Sequence, residues 1–354
     1  MHTFLARTSG GVVTMRPGLV RTARTAVGFG RALAALTARA EPEGEIPLTG
    51  LGGRVIRAGE TFRVITWNVQ YCAGRTQRFF YDGGTAVRSG RDEVAHTLAG
   101  IVALLRRWSP DVVLLQEVDR GADRTGGVDQ HSALREGLGL PVAVSAPYHR
   151  VGFVPFPPHD HLGRVDMHLS AFSAFQCLRA GWTRLPLLRE SWLRQRFNLR
   201  RVLLDLDLAT AAGPPLRVFN THLSAFSFGD GSLAEQIARC ARAASEAENT
   251  HGRWLLSGDF NALPPGDDPS RLGSDAALYP ESEAPIRALT ERFHSAGTPA
   301  PDTRSWVPWG SNTPDRQLDW LFHGSGIVVK DHRVDRRGAE WSDHLPLVTD
   351  VALR

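Results

Sequence analysis

The sequence predicts an α/β sandwich, in which two β-sheets pack against each other and helices cover the outside. Three observations support this class. Strand-like segments are spread over residues 61–351, only a few helical segments interrupt them, and 42% of the 354 residues are hydrophobic, which is enough for one large core. We therefore expect one α/β domain rather than two domains.

The first strand–helix–strand unit lies near the start of this range. Phe62–Trp67 is rich in β-branched and aromatic residues, which is typical of a strand. Residues 92–108 carry apolar side chains at spacings of three and four, which indicates an amphipathic helix, and Pro110 prevents its continuation. Asp111–Gln116 is mostly apolar and predicts a fully buried strand.

A second unit follows the same pattern. Leu216–Thr221 predicts a strand, and residues 232–248 predict a helix. Ser232 and Glu235 have the spacing of a capping box at the start of this helix. Arg253–Ser257 predicts the next strand.

The last part of the chain predicts further strands and long connections. Gln317–Phe322 and Leu345–Val351 have the composition of late strands. Residues 141–165, 263–283 and 297–316 are rich in residues that interrupt regular structure, and we expect long loops there.

The N-terminal segment differs from the rest in charge. Residues 1–40 contain six arginines and no acidic residue, so subtracting six from the net charge of +4 leaves about −2 for the remainder. A near-neutral body gives little support for strong non-specific binding to nucleic acid. The basic segment fits a transit peptide, an amphipathic segment or a disordered extension. We expect residues 1–57 to be a poorly ordered extension and linker, with Pro and Gly breaking residues 41–47, and residues 58–354 to form the folded domain.

Composition also bears on the compartment. No apolar run approaches the roughly 20 residues of a membrane span. The three cysteines, Cys72, Cys177 and Cys240, are scattered and odd in number, which argues against a disulfide framework. We expect a cytoplasmic protein, while the basic leader leaves a membrane surface or export open.

The most informative segment is Ser257–Leu263, which follows an apolar strand. Asp259 and Asn261 are two residues apart and therefore point to the same side of an extended chain. The carboxylate accepts protons or binds a cation, and the carboxamide both donates and accepts hydrogen bonds. This pair has the chemistry needed to hold and polarise a water molecule.

Other predicted strand ends also carry polar residues. Each of them alone has an ordinary structural explanation, such as a turn residue, a solvated strand end or a hydrogen-bonded histidine. Their combination is what indicates a site. These residues are Asn68, Glu117, His222, Asp319, Asp343 and His344.

Six short motifs occur in the order of a known family. They are Thr66–Val69, Leu115–Glu117, Asn220–Leu223, Gly258–Asn261, Leu318–Trp320 and Ser342–His344. On these motifs the chain resembles the endonuclease/exonuclease/phosphatase superfamily, which includes deoxyribonucleases, apurinic endonucleases, neutral sphingomyelinases and inositol-polyphosphate phosphatases. The resemblance covers about residues 61–351 and makes residues 58–354 a catalytic domain of this kind.

The resemblance implies a four-layer α/β/β/α sandwich of two mixed sheets flanked by helices. It also implies a divalent cation, usually Mg²⁺ with Mn²⁺ as an alternative, held mainly by Glu117 with help from Asn68 and Asp343. A hard cation prefers such oxygen ligands.

Charge and geometry suggest roles for the remaining residues, and we favour the following scheme. Asp259 accepts a proton from the attacking water, which Asn261 orients. His344 and His222 donate hydrogen bonds to the phosphate. We expect Asp343 to orient His344 and Asp319 to orient His222.

An alternative scheme makes His344 the base, polarised by Asp343. The sequence does not decide between the two schemes.

One segment departs from the family pattern. Val165–Ala171 stands where many members carry an Asn and an Arg that assist the phosphate site. Either Asp166 or His168 replaces them, or the site is looser. This segment is more similar to that of uncharacterised bacterial members. A further idea is that the loop histidines add metal ligands, namely His149, His159, His161 and His168.

The expected function is metal-dependent hydrolysis of phosphate esters, most simply of phosphodiesters, by a monomer without a transmembrane segment. The alternatives are a nuclease, a sphingomyelinase-like lipid phosphodiesterase, or an enzyme for a small phosphoester. Aromatic residues in the predicted loops suit a lipid headgroup or exposed bases. These residues are Phe153, Phe156, Trp306 and Trp309. A non-catalytic binding protein on the same fold is the alternative from a different class.

Overall fold

The protein is described by a computed structural model, which covers residues 42–48, 52–225, 227–280 and 284–354. The strands in these ranges are β1 Glu43–Glu45, β2 Thr61–Asn68, β3 Val112–Asp119, β4 Val142–Val154, β5 Gly163–Ser173, β6 Cys177–Arg184, β7 Val202–Leu208, β8 Leu216–His222, β9 Trp254–Asp259, β10 His294–Ser295, β11 Asp319–His323, β12 Ile327–Val334 and β13 Leu347–Leu353. The α-helices are α1 Arg91–Arg107, α2 Gln130–Leu138, α3 Trp192–Phe197, α4 Ser232–Thr250 and α5 Arg287–Thr290.

The strands form two mixed sheets. One sheet has seven strands in the order β1-β6-β7-β8-β9-β11-β10, and the other has six in the order β12-β13-β2-β3-β5-β4. Each sheet contains one parallel pair, β8 with β9 and β2 with β3. The connections within these pairs are α4 and α1, so each pair is the strand–helix–strand unit predicted from the sequence.

Apolar side chains separate the layers. A hydrophobic cluster that includes Leu114, Met167 and Leu204 lies between the two sheets. A second cluster joins α4 to the outer face of the seven-stranded sheet, and a third joins α1 and α2 to the outer face of the other sheet. The predicted fold class, two mixed sheets flanked by helices, is confirmed.

Two assignments along the chain are wrong. Residues 141–165 contain β4 and the start of β5 instead of a loop, because Val142, Val144 and Ala146 alternate with half-buried residues despite the nearby prolines and histidines. Residues 41–47 are not simply a linker, because β1 pairs antiparallel with β6 at the edge of the sheet. Ile56 is fully buried, so packing begins before residue 58. The leader, residues 1–41, lies outside the described residues.

The start of α4 also differs from its prediction. Gly231 is the N-cap residue, and the predicted capping box of Ser232 and Glu235 does not form. Instead, the Ser232 amide donates to the carboxylate of Asp230, and Glu235 pairs with Arg189. A carboxylate at this end still suits the positive end of the helix dipole.

All three cysteines are free and buried. Within the described ranges, no helix combines the length and apolar character needed to cross a membrane.

Candidate active site

The carboxyl ends of the two parallel strand pairs meet at one end of the sandwich. Asn68 ends β2, and its Nδ2 donates to Oδ2 of Asp259 at the end of β9, at 3.0 Å. This hydrogen bond joins the two sheets. In the seven-stranded sheet, Asp259 lies in register with His222 on one side and with Asp319 on the other. The predicted polar strand ends are therefore neighbours because of strand order, although they are far apart in sequence.

Glu117 is aimed at this point by a β-bulge. The pairing of β3 with β5 shifts between Leu115 and Val118, and Glu117 itself has a positive φ of 58°. A bulge of this kind redirects a side chain at the end of a strand. The Glu117 side chain is buried, with its Oε1 3.5 Å from Nδ2 of Asn68 and 3.8 Å from Nδ1 of His222.

His344 is held by Asp319. Its Nδ1 lies 2.8 Å from Oδ2 of Asp319, which also accepts a 2.6 Å hydrogen bond from the hydroxyl of Ser305. The other ring nitrogen, Nε2, lies 3.5 Å from Oδ2 of Asp259. Burial disfavours the charged ring, but Asp319 and Asp259 outweigh burial and raise the pKa of His344 to about 10.

His222 has a different environment. Its Nδ1 lies 3.2 Å from the Tyr148 hydroxyl, and its Nε2 approaches Oδ2 of Asp259 to 3.3 Å without the geometry of a hydrogen bond. Burial and the positive charge of Arg201 hold the pKa of His222 well below its usual value, so this imidazole is neutral. Tyr148 was missed in the sequence because it lies in the segment assigned to a loop.

The predicted pairing of acids with histidines is wrong. Asp319 orients His344 instead of His222, because β11 flanks β9 on the side away from β8. Asp343 orients neither ring in this structure. Its carboxylate accepts a 3.3 Å hydrogen bond from the hydroxyl of Ser342.

Asp259 and Asn261 are shaped by an irregular strand end. Oδ1 of Asp259 accepts a hydrogen bond from the backbone amide of Asn261 at 3.0 Å, and Asn261 has a φ of 50°. Nδ2 of Asn261 donates to the carbonyl of Leu223, so its Oδ1 is left to accept a hydrogen bond. Burial raises the pKa of Asp259 to about 6, and nearby His344 opposes that rise.

Two groups of residues could hold a metal ion. Asp259, Asp319 and His344 place one ligand atom each within 4.8 Å of one another. In that group, however, Nδ1 of His344 and Oδ2 of Asp319 already bond to each other. Glu117 and Asp343 form the other group, a buried and a half-buried carboxylate that line one cavity. Burial raises the pKa of Asp343 and the charge of Glu117 adds to this rise, while the positive charges of His344 and Arg75 oppose it.

Asn68 does not have the orientation expected of a ligand. Its Oδ1 accepts the backbone amide of Gln70 at 3.0 Å, which directs Nδ2 toward Asp259 and Glu117. The amide therefore presents a donor to these carboxylates, and the hydrogen bond from the backbone fixes this assignment.

A cavity of about 310 Å³ opens above these residues, within the range of small-molecule sites. Its floor includes Glu117, Asp259, Asn261, Asp343 and His344, whereas His222 and Asp319 do not line it. Its outer part was largely missed, because it comes from residues without a motif in segments that are distant in sequence. These residues include Arg78, Tyr81, Asp275, Tyr279 and Arg316, whereas Trp306, which also lines the cavity, is one of the aromatic residues named from the sequence.

The residues proposed to replace the missing family Asn do not reach the cavity. Asp166 accepts hydrogen bonds from Arg150, Arg164 and His168, and these contacts occupy its carboxylate. The loop histidines form no metal-ligand group in the part of the chain that the structure describes.

Gly258 is required by the approach of β8 to β9. It has a φ of +144°, and a Cβ there would lie 1.9 Å from the carbonyl oxygen of Thr221. We expect Gly258→Ala to destabilise the protein by roughly 2–6 kcal/mol, since backbone strain and overpacking cost about 1–3 kcal/mol each. Denaturant unfolding would measure this loss.

Gly266→Ala is the matched control for this prediction. Gly266 also has a positive φ, +82°, but a Cβ there meets no atom within 4 Å. Equal losses for the two variants would show that φ alone matters and that the close approach does not.

The fold and this site are consistent with a family of hydrolases that act on phosphate esters. The chain belongs to the Endonuclease/Exonuclease/phosphatase family, whose model matches residues 65–344. Sequence comparison with curated proteins gives no match.

Several solved structures share the fold. One is an endonuclease/exonuclease/phosphatase from Beutenbergia cavernae DSM 12333, with 22% identity, 83% of this chain and 72% of that chain covered, and a TM-score of 0.60. The human Nocturnin catalytic domain with bound sulfate has 17% identity, 87% and 98% coverage and a TM-score of 0.53. ANGEL2, a 2′,3′-cyclic phosphatase, has 16% identity, 89% and 99% coverage and a TM-score of 0.52. At these identities, the likeness supports the fold alone.

Proposed function

We propose that this protein hydrolyses phosphate esters, most simply phosphodiesters, with a divalent cation and with water activated by Asp259. The observation that carries this proposal is the arrangement on the cavity floor. A buried carboxylate with a pKa of about 6 lies 3.5 Å from an imidazole with a pKa of about 10. Near neutral pH the first is mostly ionised and can accept a proton, while the second is charged and can donate one.

This ordering of pKa values favours Asp259 over His344 as the general base. The His344 ring is already protonated, with Nδ1 directed at Asp319, so Nε2–H is the group that can donate to a phosphate oxygen. Oδ1 of Asn261 can accept a hydrogen bond from the attacking water and orient it toward Asp259. Charged donors that are fixed before the reaction stabilise negative charge in the transition state.

His222 has a supporting role in this scheme. It is neutral, buried beneath Asp259 and Glu117, and held by the Tyr148 hydroxyl. It packs beside the two carboxylates and does not line the cavity, so in this scheme it does not contact the phosphate directly.

Glu117 and Asp343 are the residues that would hold the cation. Their carboxylates supply the hard oxygen donors that Mg²⁺ or Mn²⁺ prefers. When bound, the cation would neutralise charge on the phosphate and on the leaving oxygen. We further propose that the protein occupies a reducing compartment such as the cytoplasm, which is consistent with its three free cysteines. We propose residues 58–354 as the catalytic domain.

Glu117→Gln should weaken metal binding. The change removes a charge and keeps the shape of the side chain. Mutating a residue that only hydrogen-bonds a metal ligand already lowers metal affinity by about 10- to 100-fold. We therefore expect the Mg²⁺ concentration for half-maximal activity to rise by at least about that factor. Calorimetric titration with Mg²⁺ would measure the same change without turnover.

Two variants make this result specific. Glu136→Gln alters an exposed acid and should leave metal binding unchanged. Asp319→Asn tests the competing Asp259–Asp319–His344 cluster. A wild-type Mg²⁺ affinity in Glu117→Gln together with a weakened one in Asp319→Asn would place the metal in that cluster and contradict our assignment.

A further inference from the structure

The outer part of the cavity has one wall built around a buried arginine. The guanidinium of Arg316 lies 4.0 Å from the centre of the Trp306 ring and 5.7 Å from that of Tyr279. Trp306 forms isolated β-bridges with both Arg316 and His344, so the backbone fixes the indole next to the proposed catalytic residues. All three side chains line the cavity. This wall, defined by Tyr279, Trp306 and Arg316, combines two aromatic rings with a guanidinium group.

The charges on the outer lining are balanced. Nη2 and Nε of Arg316 pair with Asp275 and Asp315 at 2.8 and 2.7 Å. Arg78 pairs with Asp82 at 3.5 Å. Both of the arginines that line the cavity in the described ranges are thus ion-paired. A second phosphate on the ligand would have to compete with these carboxylates, whereas an uncharged group would leave the pairs intact.

The dimensions restrict the ligand further. A cavity of about 310 Å³ is at the small end of the sites that hold small molecules. Non-specific binding of a nucleic-acid duplex depends instead on many unpaired cations along the backbone. The part of the chain after residue 40 has a net charge of about −2, which does not supply such a surface.

We infer that the cavity accepts small phosphate esters that carry an uncharged, planar ring, such as the base of a nucleotide, and that the Tyr279–Trp306–Arg316 wall contacts this ring. The inference rests on the proposed function, which places the phosphate beside His344 and Glu117. An aromatic side chain that stacks on a base stabilises binding in a sequence-tolerant way. The balanced arginines disfavour inositol polyphosphates as ligands, and the near-neutral charge of the chain after residue 40 disfavours non-specific binding of long nucleic acids.

Two ligands that differ in the ring test this inference. Thymidine 5′-monophosphate and glycerol 3-phosphate both carry a phosphate monoester on a primary hydroxyl, but only the first has a planar base. Calorimetric titration in the presence of Mg²⁺, in the Asp259→Asn background so that neither ligand is consumed, gives the two dissociation constants. We expect the nucleotide to bind at least about tenfold more tightly, and inositol 1,4-bisphosphate to bind no more tightly than glycerol 3-phosphate.

Variants of the wall assign the difference to its residues. Trp306→Ala should reduce the ratio of the two dissociation constants from about ten to about one. Tyr279→Leu, which removes a different ring of the wall, should also lower this ratio. Trp309→Ala is the matched control, because Trp309 is 38% exposed in the same segment and does not line the cavity. Equal affinities for the two ligands, no binding of either, or a preference that survives both wall variants would overturn the inference.

This titration is independent of turnover. A protein that binds the nucleotide through Trp306 but hydrolyses no phosphate ester would contradict the proposed function and leave this inference standing. The reverse result, hydrolysis without a preference for the ring, would do the opposite.

Discussion

Asp259→Asn is expected to lower kcat for phosphate-ester hydrolysis by about 10²- to 10⁴-fold, which is the usual contribution of a general base. The change is isosteric but leaves no group that can accept the proton of the attacking water. The side chain is 1% exposed and lies between His222, Asp319 and Asn68, so few alternative bases can approach the same water. Initial rates on bis-p-nitrophenyl phosphate with saturating Mg²⁺ would measure the effect.

The control is Asp160→Asn, which neutralises a carboxylate that is 56% exposed and outside the cavity. It should keep the wild-type rate. Near-ultraviolet circular dichroism would show that Asp259→Asn keeps its tertiary packing. A folded Asp259→Asn protein that retained more than about a tenth of the wild-type kcat would exclude Asp259 as the base.

Arg124→Met is expected to cause a large loss of stability, about 3–5 kcal/mol, because it leaves a buried charge without its partner. Arg124 and Asp119 are 1% and 0% exposed, and Nε and Nη2 of the arginine each lie 2.8 Å from a carboxylate oxygen of Asp119. The guanidinium also lies 3.8 Å from the centre of the Tyr71 ring. Denaturant unfolding of the two proteins would measure the difference.

Arg120→Met supplies the comparison for this second prediction. Arg120 pairs with Asp129 at 3.2 Å, but these side chains are 34% and 39% exposed, so the pair should contribute at most about 1 kcal/mol. Similar losses in the two variants would mean that burial of the Arg124–Asp119 pair does not increase its contribution to the free energy of unfolding. Asp119 follows Glu117 by two residues in β3, so we also expect Arg124→Met to weaken metal binding by loosening the bulge.

Much of the fold was predictable because local sequence patterns indicate the strands and the helix of each of the two strand–helix–strand units. The apolar runs that end in Asn68 and Asp259 lie at the carboxyl ends of strands in both the prediction and the structure. β4 was not predictable in this way. Pro147 and His149 interrupt the apolar pattern of its sequence, and the alternation of buried and half-buried residues is seen only once the strand is placed in the sheet. Glu117 was found by its motif, but the bulge that aims it depends on pairing with β5.

The pairing of side chains within the site was harder to predict from the sequence. The sequence supplied His222, His344, Asp319 and Asp343, but which acid meets which ring depends on the order of strands across the sheet. The pKa of His222 is lowered and that of His344 is raised, and this difference comes from the residues around each ring. The outer wall comes from two segments without a regular pattern, and although Trp306 was a candidate for ligand contact, only the structure brings it together with Tyr279 and Arg316.

The central claim is that the cavity above Asp259 and Glu117 hydrolyses phosphate esters with a divalent cation. The most direct measurement is release of p-nitrophenol from bis-p-nitrophenyl phosphate and p-nitrophenyl phosphate by the full chain, with Mg²⁺, with Mn²⁺ and with EDTA. We expect turnover that EDTA abolishes, that added metal restores, and that Asp259→Asn lacks. Release that persists in EDTA, or no release with either metal from a folded protein, would contradict the account.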